Sequence, residues 1–530
     1  MLAIRNRRTT FPRLLLHRRE HLQRQNQLAT SIARHQNPIT RRIYYLAWVK
    51  RKHFIHSIGA TTLGALSIPA ALSAAHSDDQ SNAHSNKPPK GKVKPEYIVP
   101  QGISNAPHNE AFWGAVATNF NRPEGFINLE NGYFSHQPQG TLHHHIDAQT
   151  TINTQTSHFM RTAQTQAIEE ARKSFAGFQG LLTEEVAFTR NTTESLNIVI
   201  MGTRWQSGDE VVIGNQDYGS MVEAFEQAAA RWGIIIKIAD VPKDPRSDAE
   251  IVNAYCDLIT PFTKMLHLTH MINLSGQLIP VQAITRKAKQ IQPNIVVVVD
   301  AAHSLAHTPT DMSDLANAGV DVIGGSLHKW LCNPIGVGFL YMKKSLIPSI
   351  WPLMGDTGAD KNDIRKFEHQ GTRPINSLQT IAKAIEFHRM LGSSAKFNRL
   401  TYLKLLWIGN KQALENFGKG LGILNDPQYQ ANMAAVTELT MLDAFKLQSP
   451  LFQFQRGGAI ATAYVNGYTP TTLAKALMDN HKIFTVGIDH PIIKGVRVTP
   501  HLSSSAADCI ALNKAFTKIC IDLIPAPKLK

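Results

Sequence analysis

Cysteine is scarce in this chain of 530 residues. Its four cysteines, Cys256, Cys332, Cys509 and Cys520, form no C-x-x-C pair and no spacing typical of a metal site. A disulfide framework or a zinc module would need paired or clustered cysteines. We therefore expect free, mostly buried thiols and no metal. The adjacent histidines at 143–145 do not change this, because neighbours in sequence do not converge easily on one ion and no carboxylate spacing accompanies them.

Acidic residues are almost absent from the N-terminal segment. Residues 1–52 contain 13 Lys and Arg against a single acid, Glu20, and contribute +12 of the net charge of +15. The remaining chain is therefore close to neutral. The high isoelectric point of the whole chain therefore says little about its partners. We accordingly predict no nucleic-acid partner.

The chain also lacks a long apolar run in this region. A basic group at 50–52 precedes the modestly apolar run Ile58–Leu72, and small residues follow at 73–75. The run is too short to span a bilayer comfortably, which takes roughly 20 apolar residues, and the three-part layout is that of an export signal. Arg51-Lys52-x-Phe54-Ile55 resembles a twin-arginine signal with Lys in the second Arg place. We predict export to the periplasm, with mitochondrial or cytoplasmic location as the alternatives, and no stable membrane span.

Composition then divides the chain into four parts. A polar, Pro- and Lys-containing stretch follows the signal and indicates a linker. We predict an N-terminal extension and export signal over residues 1–75, a linker over 76–105, a large domain over 106–375 and a smaller C-terminal domain over 376–530. Within the large domain apolar strands alternate with amphipathic helices, which is typical of α/β architecture. The uninterrupted apolar run Ile295–Val299, with Asp300 at its end, predicts a central parallel strand buried on both faces.

The stretch from Asp321 to Met342 carries the most chemistry. It reads D-V-I-G-G-S-L-H-K-W-L-C-N-P-I-G-V-G-F-L-Y-M and predicts two strands, Asp321–Ile323 and Gly338–Met342, on either side of a polar turn that holds Lys329. Burial disfavours the charged form of a lysine, and a neutral amine forms Schiff bases with carbonyl cofactors. Ser326, His328 and the diglycine Gly324-Gly325 suit a phosphate. The alternative is a β-hairpin whose polar tip is simply solvated.

Other polar residues follow predicted strands. Asn191, with Glu194 three residues later, forms a capping-box pattern at a helix start, which also favours an anion; capping alone is the alternative. Tyr218 follows a strand in N-Q-D-Y, where an aromatic ring covers a flat heterocycle or simply packs. Asp300 ends the buried strand and needs a partner, either the ring nitrogen of a cofactor or a helix N-terminus. Arg497 suits a bidentate contact with a carboxylate or is a solvated strand residue.

Several of these motifs occur together in a recognisable order. The chain reads strand–N-T-T–helix, N-Q-D-Y, T-H-x-x-N-x-x-G, V-D-A-A-H, S-x-H-K, G-T-R and, late, R-V-T-P. From about Phe126 to Asp508 it resembles the class V aminotransferase family of pyridoxal-phosphate enzymes, most closely the isopenicillin-N-epimerase-like branch. The resemblance implies the α/β architecture called fold type I: a large mixed, mostly parallel sheet domain with a smaller C-terminal α/β domain.

The resemblance also implies roles for individual residues. Lys329 corresponds to the lysine that carries the cofactor and later moves the proton at the substrate α-carbon, and Asp300 to the partner of the pyridine nitrogen, with His303 beside the ring. The remaining positions correspond to cofactor contacts at the phosphate (Thr192, Thr193, Ser326, His328 and, across a dimer interface, Thr372), at the phenolic oxygen (Asn273) and at the ring (Gln216, Tyr218), and to substrate contacts (Arg497, Asn131). Gln216 stands where the family usually has a ring-stacking histidine, so stacking is expected to pass to Tyr218 or to change.

The implied activity is chemistry at the α-carbon of a small amino acid in a homodimer. Transamination is the expected outcome; epimerisation or racemisation and C–S or C–N lysis are the alternatives, because all share early steps. Cysteine desulfurases share the layout but need a thiol shortly before the carboxylate-binding arginine, and no cysteine lies between Asn333 and Arg497. We therefore predict no ordinary desulfurase activity. An exported binding protein without turnover is the alternative of another class.

Overall fold

The computed structural model describes residues 97–356, 358–450 and 457–523. The export signal predicted for residues 1–75 lies outside them, and so does most of the predicted linker. The last linker residues, 97–105, form no helix or strand. Tyr97 is nevertheless buried, with its ring 5.1 Å from that of Phe387. The packed part of the chain therefore begins before the predicted linker ends.

Fifteen α-helices lie in the described residues. They are α1 (Glu110–Ala117), α2 (Gln139–Thr162), α3 (Gln164–Gln179), α4 (Thr192–Gly202), α5 (Gly219–Trp232), α6 (Asp248–Cys256), α7 (Val281–Ile291), α8 (Met312–Asn317), α9 (Asn376–Gln379), α10 (Ile381–Leu391), α11 (Ser393–Ile408), α12 (Lys411–Gly420), α13 (Pro427–Ala434), α14 (Pro470–His481) and α15 (Ala506–Asp522). None of them is long and apolar enough to cross a membrane.

Thirteen strands accompany these helices in the described parts of the chain. They are β1 (Ile127–Asn128), β2 (Val186–Thr189), β3 (Glu210–Gly214), β4 (Ile235–Ala239), β5 (Thr263–Thr269), β6 (Val296–Asp300), β7 (Val322–Ser326), β8 (Gly338–Met342), β9 (Phe445–Leu447), β10 (Ala461–Val465), β11 (Ile483–Phe484), β12 (Val486–Asp489) and β13 (Lys494–Val498).

The main sheet has seven strands in the order β2-β8-β7-β6-β5-β3-β4. All neighbours are parallel except those involving β8, which runs antiparallel to both β2 and β7. The β-branched run of β6 lies at its centre, and all residues of that strand after Val296 are buried. Helices cover both faces, as a parallel sheet requires. This mixed, mostly parallel sheet confirms the predicted fold class.

A second, antiparallel sheet has the order β12-β13-β10-β9 and lies in the C-terminal part of the chain. The N-terminal strand β1 pairs in parallel with β11, and Glu130 just after it forms a bridge with Thr499 just after β13. The sequence division at residue 375 did not anticipate this pairing. It brings a segment from the beginning of the described chain against the strand that holds Arg497.

Candidate active site

A cavity of about 260 Å³ lies at the carboxyl ends of the central parallel strands. This is where ligands bind in open α/β sheets, because the strand ends and helix starts meet there. Ten of the thirteen residues predicted for the site line it: Thr192, Thr193, Tyr218, Asn273, Asp300, His303, Ser326, His328, Lys329 and Arg497. The cavity also takes in residues that sequence reasoning did not select, among them Gly132, Tyr133, Phe134 and Ile335.

Lys329 is placed by the turn that follows β7. The chain leaves the strand at Ser326, and the backbone N–H of Leu327 donates to the carbonyl of Val337 at 2.9 Å, which closes the connection to β8. The N–H of Cys332 donates to the Lys329 carbonyl at 3.1 Å, so the lysine sits in a tight turn. This turn directs the ammonium group into the cavity.

The diglycine before this turn has a different role from the one predicted. Gly324 and Gly325 lie inside β7 and do not line the cavity. A Cβ on Gly324 would lie 2.8 Å from the Leu196 side chain, and one on Gly325 would lie 2.3 Å from the Phe339 ring. The two glycines therefore allow close packing of α4 and β8 on the strand that carries Lys329.

An anion cradle lies at the start of α4. Asn191 caps the helix by accepting the N–H of Glu194 at 2.9 Å, so the predicted cap is present. The Ser326 hydroxyl accepts the N–H of Thr192 at 3.0 Å and lies 2.8 Å from its hydroxyl. The hydroxyls and the positive end of the helix dipole together favour an anion here. The cradle fits a phosphate group.

Asp300 ends β6 with its carboxylate buried. Its Oδ1 accepts the backbone N–H of Ala302 at 2.8 Å. Burial raises the pKa of the carboxyl, and that hydrogen bond and the charge of Lys329 offset part of the rise. A buried carboxylate at a cavity wall stabilises a positively charged ring nitrogen. Asp300 and Lys329 line the same cavity.

Trp330 fixes the protonation of the histidine beside Lys329. The indole Nε1–H donates to Nδ1 of His303 at 3.3 Å. An indole nitrogen only donates, so this Nδ1 is an acceptor and the neutral imidazole carries its proton on Nε2. That Nε2 lies 2.9 Å from Nζ of Lys329. In this arrangement Nε2–H donates to the lone pair of a neutral amine.

The electrostatics of the site favour the neutral form of the lysine more than water does. Burial lowers the pKa of Lys329 to about 8; Asp300 acts in the opposite direction and Arg497 in the same direction. Burial, followed by the charge of Lys329, holds the pKa of His303 well below its usual range. His303 is therefore uncharged near neutral pH, and Lys329 has a far larger neutral fraction there than an ordinary lysine.

Arg497 lines the cavity from β13 but already holds a carboxylate. Its Nη2 donates to Oε1 of Glu130 at 2.6 Å, and its Nε donates to Oε2 at 3.3 Å. Its Nη1 donates to the backbone carbonyl of Asn273 at 3.2 Å. Glu130 is a site residue that the sequence interpretation missed. An acid between the apolar strand Ile127–Asn128 and the turn at Gly132 was the available signal.

Three predicted residues do not line the cavity. Gln216 is fully buried and donates to the Val241 carbonyl at 2.9 Å, so its assignment to the cofactor ring is wrong. Asn131 is also buried, and its amide donates to the Thr499 carbonyl at 2.9 Å rather than facing the substrate space. Thr372 is exposed and away from the cavity, and its predicted contact across a dimer interface stays a prediction. Tyr218, at the start of α5, does line the cavity and is 44% exposed.

Comparison with known proteins agrees with this geometry. Residues 135–481 match the family model described as aminotransferase class-V, about two thirds of the chain. The chain belongs to the class V aminotransferase family. Its relatives include an isopenicillin N epimerase of Amycolatopsis lactamdurans, 27% identical over 44% of this chain and 62% of that protein, and a probable cysteine desulfurase of Methanothermobacter thermautotrophicus, 30% identical over 43% of this chain and 57% of that protein. Each match thus spans about three fifths of the relative's length.

Solved structures show the same fold. An apo cysteine desulfurase of Thermococcus onnurineus superimposes with a TM-score of 0.61 at 20% identity, over 75% of this chain and 95% of that one. The cofactor of the class V family is pyridoxal phosphate. The relatives carry more than one activity, so family membership alone does not choose the reaction.

The residues of this chain fit that cofactor. The helix α4 cradle suits the phosphate, Asp300 suits the ring nitrogen, and Lys329 suits the aldehyde carbon. Asn273 lines the cavity with its carboxamide oxygen buried, and in the described residues that oxygen has no hydrogen-bond partner. A polar ligand atom would satisfy it, as buried polar groups require. No group of three or more metal-ligating side chains occurs in the described chain.

Proposed function

We propose that this protein is a pyridoxal-phosphate enzyme that transforms a small amino acid at its α-carbon, with transamination as the principal outcome. One observation supports this above all: the amine of Lys329, the carboxylate of Asp300 and the anion cradle at Thr192 line a single cavity. A phosphate, a ring nitrogen and an aldehyde are the three groups these side chains can hold together. When bound, the cofactor supplies an electron-withdrawing ring that stabilises negative charge at the α-carbon.

The chain's own residues perform the remaining tasks. Asp300 holds a proton on the ring nitrogen, and its burial strengthens that interaction. Lys329 takes and returns the proton of the substrate α-carbon, for which a pKa near the working pH is effective. His303 donates Nε2–H into the same space, oriented by Trp330. The apolar side chains at the mouth of the cavity, including Phe134 and Ile335, limit the access of water.

Epimerisation is the second candidate, favoured by the similarity to isopenicillin N epimerase. Both reactions begin by removing the α-proton and differ in where a proton returns. Ordinary desulfurase activity is disfavoured, since the stretch before Arg497 contains no cysteine back to Asn333. Cys332 is buried and lies in the lysine turn, 3.3 Å from Nε2 of His501. Burial raises its thiol pKa to about 11, away from the reactive thiolate form.

The experiment that tests the proposal separates cofactor attachment from turnover. Purified protein is loaded with pyridoxal phosphate, and its absorbance is compared with that of Lys329→Ala and of the control Lys343→Ala, an exposed lysine just after β8. We expect the band of the lysine-bound cofactor in wild type and in the control, and its loss in Lys329→Ala. An unchanged spectrum in Lys329→Ala would refute the assignment.

The reaction is then identified with a panel of amino acids. With an added keto acid, a transaminase produces a new amino acid and a new keto acid, both visible by mass spectrometry. In heavy water an epimerase incorporates deuterium at the α-carbon and scrambles chirality without producing a keto acid. Spectral change with neither product would favour a binding protein instead.

We also propose a homodimer and export to the periplasm. Thr372 is exposed and lies outside the cavity, where a second copy could use it, and closed two-fold dimers are the commonest oligomers. Sedimentation equilibrium tests the first proposal, because a monomer at micromolar concentration would contradict it. Cell fractionation tests the second: residues 1–75 fused to a reporter should direct it to the periplasm.

A further inference from the structure

The Arg497–Glu130 pair occupies the place expected for substrate recognition. Both side chains are largely buried, with 9% and 7% of their surface exposed. Glu130 binds the guanidinium through two hydrogen bonds, one from Nη2 to Oε1 and one from Nε to Oε2. This is the bidentate geometry that a substrate carboxylate would otherwise adopt on an arginine.

Glu130 is fixed in this position by further contacts. Its Oε1 also accepts the backbone N–H of Tyr133 at 3.0 Å, and its Oε2 accepts the Thr499 hydroxyl at 3.4 Å. Gly132 lies against the guanidinium, since a Cβ there would approach Nη2 of Arg497 to 3.0 Å. The Glu130 carboxylate is therefore held in one position by several hydrogen bonds and is not a mobile surface group.

The remaining hydrogen-bonding capacity of Arg497 is small. A guanidinium has five N–H groups. Among the described residues, Glu130 and the Asn273 carbonyl engage three of them, which leaves one N–H on Nη1 and one on Nη2. These two can bind an acceptor in the cavity. The charge they present is already balanced by Glu130.

We propose that Glu130 determines the substrate specificity of this pocket by compensating Arg497, so that the group bound there is a neutral acceptor, such as the carbonyl of an amino-acid amide or ester, in preference to a free carboxylate. A free carboxylate would share one guanidinium with a second carboxylate and be repelled by it. A neutral carbonyl takes the same two N–H groups without repulsion. The inference rests on the proposed function and narrows its substrate to amino-acid derivatives with a masked acid group.

The test compares two ligands that carry the same amino group. L-alanine and L-alaninamide are titrated into the loaded wild-type protein and into Glu130→Gln, and the dissociation constants are read from the cofactor absorbance. Glutamine keeps the shape and an acceptor oxygen but removes the charge. We expect the ratio of the amide constant to the acid constant to rise about tenfold in Glu130→Gln, equivalent to ~1.4 kcal/mol. A rise below threefold, or a fall, would overturn the proposal.

Controls keep the outcome interpretable. Glu124→Gln removes an exposed acid six residues earlier and should leave the ratio unchanged. If circular dichroism shows that Glu130→Gln does not fold, the wild type decides alone: after correction for the ionisation of each amine, a preference for alaninamide supports the proposal, and equal affinity or a preference for alanine overturns it. No spectral response to either ligand would count against the proposed function itself, whereas a response with an unchanged ratio counts against Glu130 only.

Discussion

The pKa of Lys329 gives a quantitative prediction for cofactor loading. Only the neutral amine attacks a carbonyl, and burial lowers the pKa of this lysine to about 8 from 10.5. At pH 7 about 9% of Lys329 is then neutral, against about 0.03% of an ordinary lysine, a difference of ~300-fold. The cofactor-free protein should therefore combine with pyridoxal phosphate far faster at neutral pH than a simple alkylamine does.

The assay is a stopped-flow measurement of the absorbance change from pH 6 to pH 10, with the same measurement on a simple alkylamine. Dividing the rate of the protein by the rate of the alkylamine removes the effect of the cofactor's own titration, because that effect is common to both. Below pH 8 the neutral fractions of both amines rise in parallel, so the ratio should be flat. Above pH 8 Lys329 is already neutral while the alkylamine still gains, so the ratio should fall about tenfold per pH unit until about pH 10.5.

The test is the break in this profile, which is the pH at which the ratio of the two rates begins to fall. A ratio that stays flat through pH 10 would refute the reasoning, because it would mean that Lys329 titrates as an ordinary lysine. Asp300→Asn provides a directional check: the Asp300 carboxylate raises the pKa of Lys329, so removing its charge should move the break to lower pH. Lys329→Ala, which lacks the amine, should show no such phase.

Further predictions concern three packing and hydrogen-bond contacts in and around the site. Trp330→Phe keeps a ring but removes the indole donor, so nitrogen NMR should show His303 shifting from the pure Nε2–H tautomer to a mixture; an unchanged signal would contradict the proposed role. Gly338→Ala should cost about 1–3 kcal/mol of unfolding free energy and weaken phosphate affinity, measured by denaturation and equilibrium dialysis, because its Cβ would lie 2.7 Å from the Asn191 backbone. Gln216→Leu should lower the melting temperature yet leave the spectrum of the bound cofactor unchanged. A changed spectrum would mean that Gln216 contacts the cofactor after all.

The sequence predicted the sheet well because each central strand has a strong local signal. The run Ile295–Val299 is β-branched and apolar, and the structure forms β6 over Val296–Asp300, within one residue of it. The second strand after the lysine turn, Gly338–Met342, likewise has the predicted bounds. Polar residues at the ends of such strands meet at one edge of a parallel sheet. That rule placed Asp300 and Lys329 in one cavity without any knowledge of the contacts.

The errors arose where the path of a turn decides which way a side chain points. β3 ends at Gly214, and the turn after it sends Gln216 inward to the Val241 carbonyl while Tyr218 reaches the cavity. Gln216 and Tyr218 are only two positions apart, yet the first is a buried core amide and the second lines the cavity. A linear motif holds the order of these residues but not the direction of each side chain.

Glu130 was missed for a different reason. Its contacts with Arg497 join residues 367 positions apart, and they form because β1 pairs with β11 and the following segment runs beside β13. No local periodicity carries information about such a pairing. Only the assembled second sheet shows that the acid after β1 reaches Arg497, which lines the cavity.

The hydrogen bonds of the nearby carboxylates explain why the pKa of Lys329 is lowered. Glu130, the glutamate near the lysine, is committed to Arg497 by two hydrogen bonds, and one oxygen of Asp300 is held by a backbone N–H. In the described part of the chain Lys329 forms no ion pair, and its close polar neighbour is the neutral His303. Burial therefore outweighs attraction and lowers the lysine pKa. A carboxylate released from Arg497 toward the lysine would reverse this balance, so the same pair that compensates the arginine also preserves the nucleophile.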